Sequence, residues 1–413
     1  MTAQQRRLIW PWLGFLIALG FHLWHLSIPA TIVSDEVFFV TDARNYLTHT
    51  TYTDAHPPLG KLQMASILAA AGDAPTMWRI FNAVAGAFII PVLWWLVWLI
   101  SKRETAARLA VVLSLLDGFL LVDSRLGLIN IPYILYSLLA LSLTIFALRS
   151  ARPWAILTGA AVAAGLALAT KWLSLTMLVP ALAIWVWPHW FGFERRSHPT
   201  ARQFAWSLIL LIGVPILVYT KVFWLHFTWL GIPADFWGAN VQLLQYHLAV
   251  PPTGDPYGAP WWGWLLLWRP FLYWSHTAGN TISVIWSMAN PWLWWTGAAV
   301  FLYTLVTGWH QPAKRFLLVL LLMTWIPFGF IQRIMYSYHA IPFGLFVIAL
   351  VSIWLSEQWP KRRRLVVGYI LAAVFVFAWF LPWYLNLPLT TEQYRWRTWL
   401  PSWTIQSPPF QPE

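Results

Sequence analysis

Acidic and basic residues stand beside apolar runs at five separate places in the sequence. They are Asp35-Glu36, the run Asp54 to Lys61, Asp123-Ser124-Arg125, Thr170-Lys171-Trp172, and Arg333 with Tyr338-His339. An ionisable group at membrane depth costs about 2.5–3.5 kcal/mol on insertion scales, so each of these groups requires a partner or a function. Because acids and bases from separated segments recur together, they predict one shared functional site.

Each of these groups also has a purely structural interpretation. A solvated loop start would explain Asp35-Glu36, and a rigid turn would explain His56-Pro57-Pro58. For Arg125 and Lys171, the alternative is that the side chain snorkels to the membrane interface. Adjacent side chains diverge by about 100° on a helix, so at most one of the two neighbouring carboxylates is expected to face a given site.

Ligands for a hard cation are also present in the first two segments. Asp35, Glu36, Asp54 and His56 are residue types that bind such ions. Their spacing fits no compact metal motif, so we expect no cofactor, and a divalent metal is the alternative. The sequence contains no cysteine, which excludes disulfides and thiolate metal sites.

The composition places the chain in a membrane. Of its 413 residues, 59% are hydrophobic and only 10% are charged. A soluble globule with so few charges would expose large apolar patches and aggregate. At about 20 apolar residues per span, the chain has room for about ten or eleven membrane helices.

Eleven apolar runs in the sequence have the length of a helix. The first, Leu8 to Ile28, is long for the apolar part of a signal peptide, so we interpret it as an uncleaved span. The others lie near 81–100, 106–122, 130–148, 154–169, 173–190, 203–223, 291–308, 316–331, 341–356 and 365–384. These runs predict an all-α polytopic membrane protein with about eleven transmembrane helices, in which residues 1–413 form a single membrane domain.

Basic residues orient the predicted spans. Turns such as Arg195-Arg196 and Lys361 to Arg364 are short and basic, as cytoplasmic turns are. The N-terminus is therefore predicted in the cytoplasm and the C-terminus outside, with two long extracytoplasmic loops at 29–80 and 224–290. The net charge of +12 is explained by this orientation, and we expect no nucleic-acid partner. Any chemistry is expected at the extracytoplasmic face.

The same residues resemble the protein O-mannosyltransferase family, which belongs to the GT-C class of glycosyltransferases. Asp35-Glu36 is similar to the acidic loop signature of the family, and Tyr52 to Lys61 is similar to its aromatic-x-Asp-x-His-Pro-Pro-x-Gly-Lys motif. Further similar segments are Asp117-Gly118 through Ser124-Arg125, Thr170-Lys171-Trp172, Tyr246-His247, Trp261 to Trp264, Arg269-Pro270, Asn290-Pro291 with Trp294-Trp295, and Arg333 through Tyr338-His339. The resemblance implies a GT-C-like fold in a prokaryotic-type member, located in the plasma membrane.

This resemblance also implies a reaction. It is the inverting transfer of mannose from a polyprenyl-phosphate carrier to Ser/Thr hydroxyls of extracytoplasmic proteins. The expected partners are therefore the donor lipid, an acceptor polypeptide and membrane lipids. Asp35 is the expected catalytic base. Glu36 is expected as a second residue of the catalytic site that helps to hold the acceptor or the loop. The expected donor-phosphate ligands are Arg125, Lys171, Arg333 and His339, and the expected supporting residues are Asp54, His56 and Lys61.

Two positions depart from the family pattern, and other functions stay open. Asn130 stands where members often carry Asp, and Asp255-Pro256-Tyr257 stands where His-Pro-Tyr is expected. The first alternative is a related GT-C transferase with a lipid or glycan acceptor. More remote alternatives are a secondary transporter, which usually shows internal repeats not seen here, and a non-catalytic scaffold, which Asn130 keeps open.

Overall fold

The computed structural model describes residues 3–52 and 55–406, with side chains from Leu8 onward, and these residues are mostly helical. The helices are α1 (Ala3–Leu23), α2 (Glu36–Thr48), α3 (Leu59–Ala71), α4 (Pro75–Ser101), α5 (Glu104–Leu115), α6 (Gly118–Asp123), α7 (Asn130–Leu148), α8 (Pro153–Thr170), α9 (Leu175–Val186), α10 (Ala201–Leu230), α11 (Phe236–Ala249), α12 (Pro291–Thr307), α13 (Pro312–Met323), α14 (Ile341–Tyr384) and α15 (Thr391–Arg397). The strands are β1 (Phe271–Ala278), β2 (Thr281–Ser287) and β3 (Leu389–Thr390).

Among the described residues, six helical segments are long and apolar enough to cross a membrane. They are Pro75–Ser101, Asn130–Leu148, Pro153–Thr170, Ala201–Leu230, Pro312–Phe330 and Ser337–Tyr384. Shorter apolar helices lie at Leu8–Leu23, Leu59–Ala71 and Trp172–Val186. The helical membrane character is thus present, whereas the count of eleven spans and their orientation stay predictions.

One predicted run is divided in the structure, and two others are contiguous across a kink. The apolar run 106–122 divides into α5 and α6, because the Asp117 carboxylate caps the new helix by accepting the Phe119 N–H at 3.2 Å. The runs 341–356 and 365–384 both lie in α14, which is interrupted between them: Arg362 has non-helical φ −134° and ψ 43° shortly after Pro360, whose nitrogen cannot donate to the helical ladder. The interruption coincides with the predicted turn at Lys361 to Arg364.

The first long loop, 29–80, is largely folded. It contains α2 and α3, which pack on each other through buried side chains such as Val40, Ala43 and Leu68. Its last residues begin α4, with Pro75 at the first turn. The loop is therefore a rigid support for the residues between its helices.

The second long loop, 224–290, corrects the all-α expectation. The end of α10, all of α11, and an antiparallel hairpin of β1 and β2 lie in it, and β3 pairs with β2. Both strands are rich in β-branched and aromatic residues and flank a turn at Gly279, which has φ +58°. Strand-forming residues on both sides of a Gly-Asn pair are typical of a β-hairpin. The apolar runs from which the all-α fold was predicted do not include this segment.

The core lies where α7 packs against α4 and α8, and α1 packs against α4 and α5. Leu93, Leu96, Leu138 and Leu141 are completely buried there. Because this core holds the helices rigidly, the residues at their ends keep fixed positions. The candidate site is built from those helix ends.

Candidate active site

A cavity of about 670 Å³ opens where the ends of α2, α7, α8 and α11 meet the segment before α14. Its polar lining includes Asp35, His56, Asn130, Lys171, His247, Arg333, Tyr338 and His339. Five predicted site residues are in this set: Asp35, His56, Lys171, Arg333 and His339. Segments separated by up to three hundred residues therefore converge, as the sequence pattern predicted.

Asp35 occupies the position before the first residue of α2, next to Ser34 with its positive φ of 44°. Its Oδ2 accepts a long hydrogen bond of 3.3 Å from the Tyr338 hydroxyl. Burial raises the pKa of Asp35 above its usual range, although Lys171 and Tyr338 favour the charged form. A carboxylate with a raised pKa and one long hydrogen bond is suited to accept a proton.

Glu36 requires a correction, because it does not line the cavity. Its carboxylate is fully buried and forms a two-point ion pair with Arg79, at 2.7 Å to Nε and 2.8 Å to Nη2. The Gly127 and Val33 N–H groups donate to it as well, at 2.7 and 3.0 Å. All of its acceptor capacity is engaged, so Glu36 is not available for catalysis or for an acceptor. Of the expected roles, its contacts fit only that of holding the loop.

The Arg79 guanidinium extends this ion pair into the loop that precedes α2. It donates to the carbonyl oxygens of Leu26, Pro29 and Thr31 at 3.1, 2.8 and 3.2 Å. Sequence analysis did not select Arg79, which stands inside a predicted loop close to an apolar run. The pair fixes the loop, and the loop fixes the direction of Asp35.

Arg125 also requires a correction, because its guanidinium points away from the cavity. Its Nη1 donates to the carbonyl oxygens of Phe21, His22 and Trp24 at 2.7, 3.1 and 2.6 Å. These oxygens end α1, where the last carbonyls of a helix have no partner within the helix. Arg125 therefore caps α1 and is not placed to bind a donor phosphate.

Lys171 ends α8 and points into the cavity. Its Nζ donates to Asn130 Oδ1 at 2.8 Å and lies 5.8 and 5.9 Å from the ring centres of Tyr133 and Tyr338. Burial lowers the pKa of Lys171 to about 8, with Arg333 acting in the same direction and Asp35 in the opposite one. The ammonium is thus charged at neutral pH and poorly solvated, a state that favours binding of an anion.

Arg333 supplies a second cation. Its Nη1 donates to His247 Nδ1 at 2.5 Å, and burial together with Arg333 lowers the pKa of His247 to about 4. His247 is therefore a neutral acceptor that holds the guanidinium. Arg333 Nε is buried and has no hydrogen-bond partner in the part of the chain described here, so a ligand oxygen could satisfy it.

Three histidines complete the lining of the cavity, and Lys61 supports one of them without lining the cavity. The rings of His56 and His247 lie 5.3 Å apart, and burial, with help from Lys171, lowers the pKa of His56 well below its usual range. Lys61 Nζ donates to the His56 carbonyl at 2.7 Å, which holds that loop in place. His339 stacks on Tyr338 with ring centres 4.5 Å apart. Asp54 lies outside the described residues.

Sequence analysis missed several contributors to this site. It noted Asn130 and Tyr246-His247 only as parts of a pattern and gave no role to Asp123, which accepts hydrogen bonds from the β-hairpin behind the cavity. Asp255 accepts the Tyr336 hydroxyl at 3.0 Å beside the cavity. An acid at a helix end within an apolar run was the available signal for Asp123, whereas the hairpin contacts depend on tertiary folding.

Within residues 3–52 and 55–406, no group of three His, Asp or Glu side chains is placed to share a metal ion. The expectation that the protein needs no cofactor stays a prediction. Among the described residues, the geometry brings the Asp35 carboxylate and the cations Lys171 and Arg333 into the lining of the same cavity.

The family model for dolichyl-phosphate-mannose-protein mannosyltransferase matches residues 12–78 and 72–230, which is more than half of the chain. The chain belongs to this family. The predicted resemblance to the protein O-mannosyltransferases is thereby confirmed, and both the cavity carboxylate Asp35 and the cation Lys171 lie within the matched residues.

Two bacterial relatives of this family member align with most of its length, and a yeast relative aligns with about half. The polyprenol-phosphate-mannose–protein mannosyltransferase of Corynebacterium glutamicum is 23% identical over 84% of this chain and 81% of its own length. That of Mycobacterium tuberculosis is 24% identical over 92% and 88%. The Schizosaccharomyces pombe dolichyl-phosphate-mannose–protein mannosyltransferase 1 is 29% identical, over 48% of this chain and 25% of its own.

Solved structures show the fold of the family member. A chain of the Saccharomyces cerevisiae Pmt1-Pmt2 O-mannosyltransferase complex, bound to its sugar donor, superposes with a TM-score of 0.85 at 14% identity, over 98% of this chain and 94% of that one. ArnT from Cupriavidus metallidurans, bound to undecaprenyl phosphate, gives a TM-score of 0.59 at 13% identity, over 92% and 66%. The fold is therefore that of the GT-C glycosyltransferases.

Proposed function

We propose that this protein is an inverting glycosyltransferase that moves mannose from a polyprenyl-phosphate carrier to Ser/Thr hydroxyls of proteins. The observation that supports this most is that Asp35, Lys171 and Arg333 line one cavity. The relatives named above are polyprenol-phosphate-mannose–protein mannosyltransferases, which is the activity we assign.

The proposed reaction is a single displacement. Asp35 accepts the proton of the acceptor hydroxyl while the hydroxyl oxygen forms a bond to the anomeric carbon. The bond between that carbon and the phosphate oxygen breaks, and its electron pair leaves with the lipid phosphate. One carboxylate is sufficient, because a phosphate leaves without protonation when positive charge meets it. Attack opposite the leaving group inverts the anomeric centre.

We assign the departing phosphate to Lys171 and Arg333. The phosphate gains negative charge as it leaves, so cations held in place bind the transition state more tightly than the donor. Arg333 is oriented by His247, and its unpartnered Nε is a further donor. His339 lines the same cavity and is assigned a secondary contact.

The apolar part of the cavity lining suits the prenyl chain of the donor. It includes Phe39, Leu128, Leu248, Phe330 and Ile331, of which Leu248 and Phe330 are 75% and 81% exposed. Such exposed apolar side chains are acceptable where they face lipid. The polar and apolar linings together match an amphipathic donor with a phosphate head and a hydrocarbon tail.

The proposal includes the number of membrane spans and their orientation. We infer about eleven spans in one membrane domain of residues 1–413, with a cytoplasmic N-terminus, an outside C-terminus, and loops 29–80 and 224–290 outside. The distribution of short basic turns supports this orientation. The site would then act on the extracytoplasmic face of a prokaryotic plasma membrane, with membrane lipids as neighbours and no nucleic acid involved.

The proposal is tested with purified protein, radiolabelled polyprenyl-phosphate-mannose and a Ser/Thr-rich peptide. We expect label in the peptide with wild type and with Asp235→Asn, an exposed loop carboxylate that caps α11 and does not line the cavity. Label is expected to be absent with Asp35→Asn. Donor consumption that occurs only with added lipid would indicate a lipid acceptor, and no consumption with any acceptor would overturn the proposal.

A further inference from the structure

A chain of hydrogen bonds leads from the cavity into the protein behind it. Lys171 Nζ donates to Asn130 Oδ1 at 2.8 Å, and Asn130 Nδ2 donates to Asp123 Oδ1 at 3.1 Å. Lys171 and Asn130 line the cavity, whereas Asp123 does not and is fully buried. The asparagine thus connects a cation in the site to an anion outside it.

The anion at the far end is firmly anchored. Asp123 ends α6, its Oδ1 also accepts the Tyr273 hydroxyl at 3.1 Å, and its Oδ2 accepts the Ser287 hydroxyl at 2.8 Å. Tyr273 lies on β1 and Ser287 on β2. A carboxylate held by three donors from different elements has one orientation, so it orients the amide of Asn130 as well.

We propose that Asn130 and Asp123 are positioning residues for the transfer reaction, holding the Lys171 ammonium where the phosphate of the donor binds. This inference rests on the proposed function and deepens it. We assign neither residue a bond to the reacting atoms, and both act through Lys171.

The amide is suited to this task because it is neutral. A lone carboxylate in direct contact with Lys171 would pair with the ammonium and reduce its attraction for phosphate. The amide oxygen of Asn130 instead accepts one N–H from Lys171, and its amide nitrogen donates to the Asp123 carboxylate. The carboxylate therefore attracts the ammonium only from a distance. In the described part of the chain, Lys171 Nζ makes this one hydrogen bond, so two N–H groups remain for phosphate oxygens.

The test is a double-mutant cycle that combines Asn130→Leu with Lys171→Met. Leucine has the same number of side-chain heavy atoms as asparagine, with the same branching, and removes both amide contacts, and methionine removes the ammonium. Asn130→Leu is expected to lower kcat/KM for mannosyl transfer, and affinity for polyprenyl phosphate, by about three- to tenfold, no more than the loss of the Lys171 ammonium itself, because it removes one hydrogen bond that positions that ammonium. In the Lys171→Met background, the same change is expected to have less than about a twofold effect.

Two further variants separate positioning from folding. Asp123→Asn is expected to give a smaller loss that also vanishes in the Lys171→Met background. Asp117→Asn is the matched control, because Asp117 is a buried carboxylate at the other end of α6, and asparagine can keep its helix-capping contact. It is expected to leave donor binding and transfer unchanged.

Three outcomes decide between the alternatives. Losses that disappear in the Lys171→Met background support the positioning role. Losses of equal size in both backgrounds would overturn it and indicate a structural role only. Wild-type protein that neither binds polyprenyl phosphate nor transfers mannose would overturn the proposed function, and this inference with it.

Discussion

Asp35 and Glu36 are adjacent in the chain, yet their carboxylates meet different surroundings. Asp35 faces a cavity and has one hydrogen bond of 3.3 Å from Tyr338, whereas Glu36 is buried against Arg79 and two N–H groups. The same contrast separates Lys171, which faces the cavity, from Arg125, which is engaged by the carbonyl oxygens that end α1. An ionisable group whose hydrogen bonds are all satisfied by the protein supports the fold, and one with unused capacity beside a cavity is available for chemistry.

The largest effect is expected from removing the cavity carboxylate. Asp35→Asn should lower turnover by about 10²–10⁴-fold, the usual contribution of a general base. Affinity for polyprenyl phosphate and the thermal unfolding midpoint should stay close to wild type, because the phosphate ligands and the core are untouched. Single-turnover transfer, donor binding and unfolding monitored by tryptophan fluorescence measure the three quantities. Loss of donor binding together with activity would contradict the base role.

The next largest effect concerns Glu36, the buried carboxylate of the adjacent pair. Arg79→Met leaves the Glu36 carboxylate buried without its partner and should lower the free energy of unfolding by about 3–5 kcal/mol. Denaturant titration followed by tryptophan fluorescence measures the change.

The control for that experiment is the exposed ion pair of Arg44 and Asp73, whose side chains are 39% and 41% exposed. Arg44→Met should cost about 1 kcal/mol or less. Adding Glu36→Gln to Arg79→Met should restore part of the lost stability, since the unpaired charge is then removed. Equal losses for Arg44→Met and Arg79→Met would show that the buried pair does not support the loop.

Lys171 and Arg125 are expected to differ in the same way, with a smaller effect on donor affinity and stability. Lys171→Met should weaken binding of polyprenyl phosphate by about tenfold, since a charged hydrogen-bond donor is lost. Arg125→Met should leave the affinity of the folded protein for polyprenyl phosphate within about twofold of the wild-type value. It should lower the stability instead, because it removes the cap of α1. Isothermal titration with the lipid in detergent distinguishes them, and a weakened affinity in both variants would return Arg125 to the phosphate site.

The positions of the helices were the predictable part of the fold, because an apolar run of membrane length has few alternatives to forming a helix. The convergence of Asp35, Lys171 and Arg333 could be predicted as well, since each stands at the end of such a run. Helix geometry also predicted that Asp35 and Glu36 would not both face the site. The buried ion pair of Glu36 could not be predicted, because it depends on Arg79, Gly127 and the direction of one loop. The hairpin behind Asp123 was missed for a similar reason: its contacts join residues that are far apart in the sequence.

A pH dependence should follow from the same cavity and is the smallest of the effects. Lys171 interacts electrostatically with Asp35, Asp123, Arg333, His56 and His339. Its pKa of about 8 means that donor affinity is complete below about pH 7 and falls as pH rises through 8 and the ammonium is lost. Turnover should also fall at acid pH, at a higher pH than an ordinary carboxyl would give, as Asp35 becomes protonated.

A pH profile of donor binding for wild type and Lys171→Arg checks the alkaline side. Arginine stays charged throughout this range, so the fall above pH 8 should disappear wherever the variant still binds the donor. A fall of equal size in the variant would assign the titration to another group.

The most direct test of the central claim is a cryo-electron microscopy structure of the protein with polyprenyl-phosphate-mannose bound. The phosphate should lie within hydrogen-bond distance, about 3 Å, of Lys171 Nζ and the Arg333 guanidinium. The anomeric carbon should face Asp35, while Glu36 and Arg125 keep their present partners. A phosphate held by Arg125, or a sugar placed away from Asp35, would contradict the account.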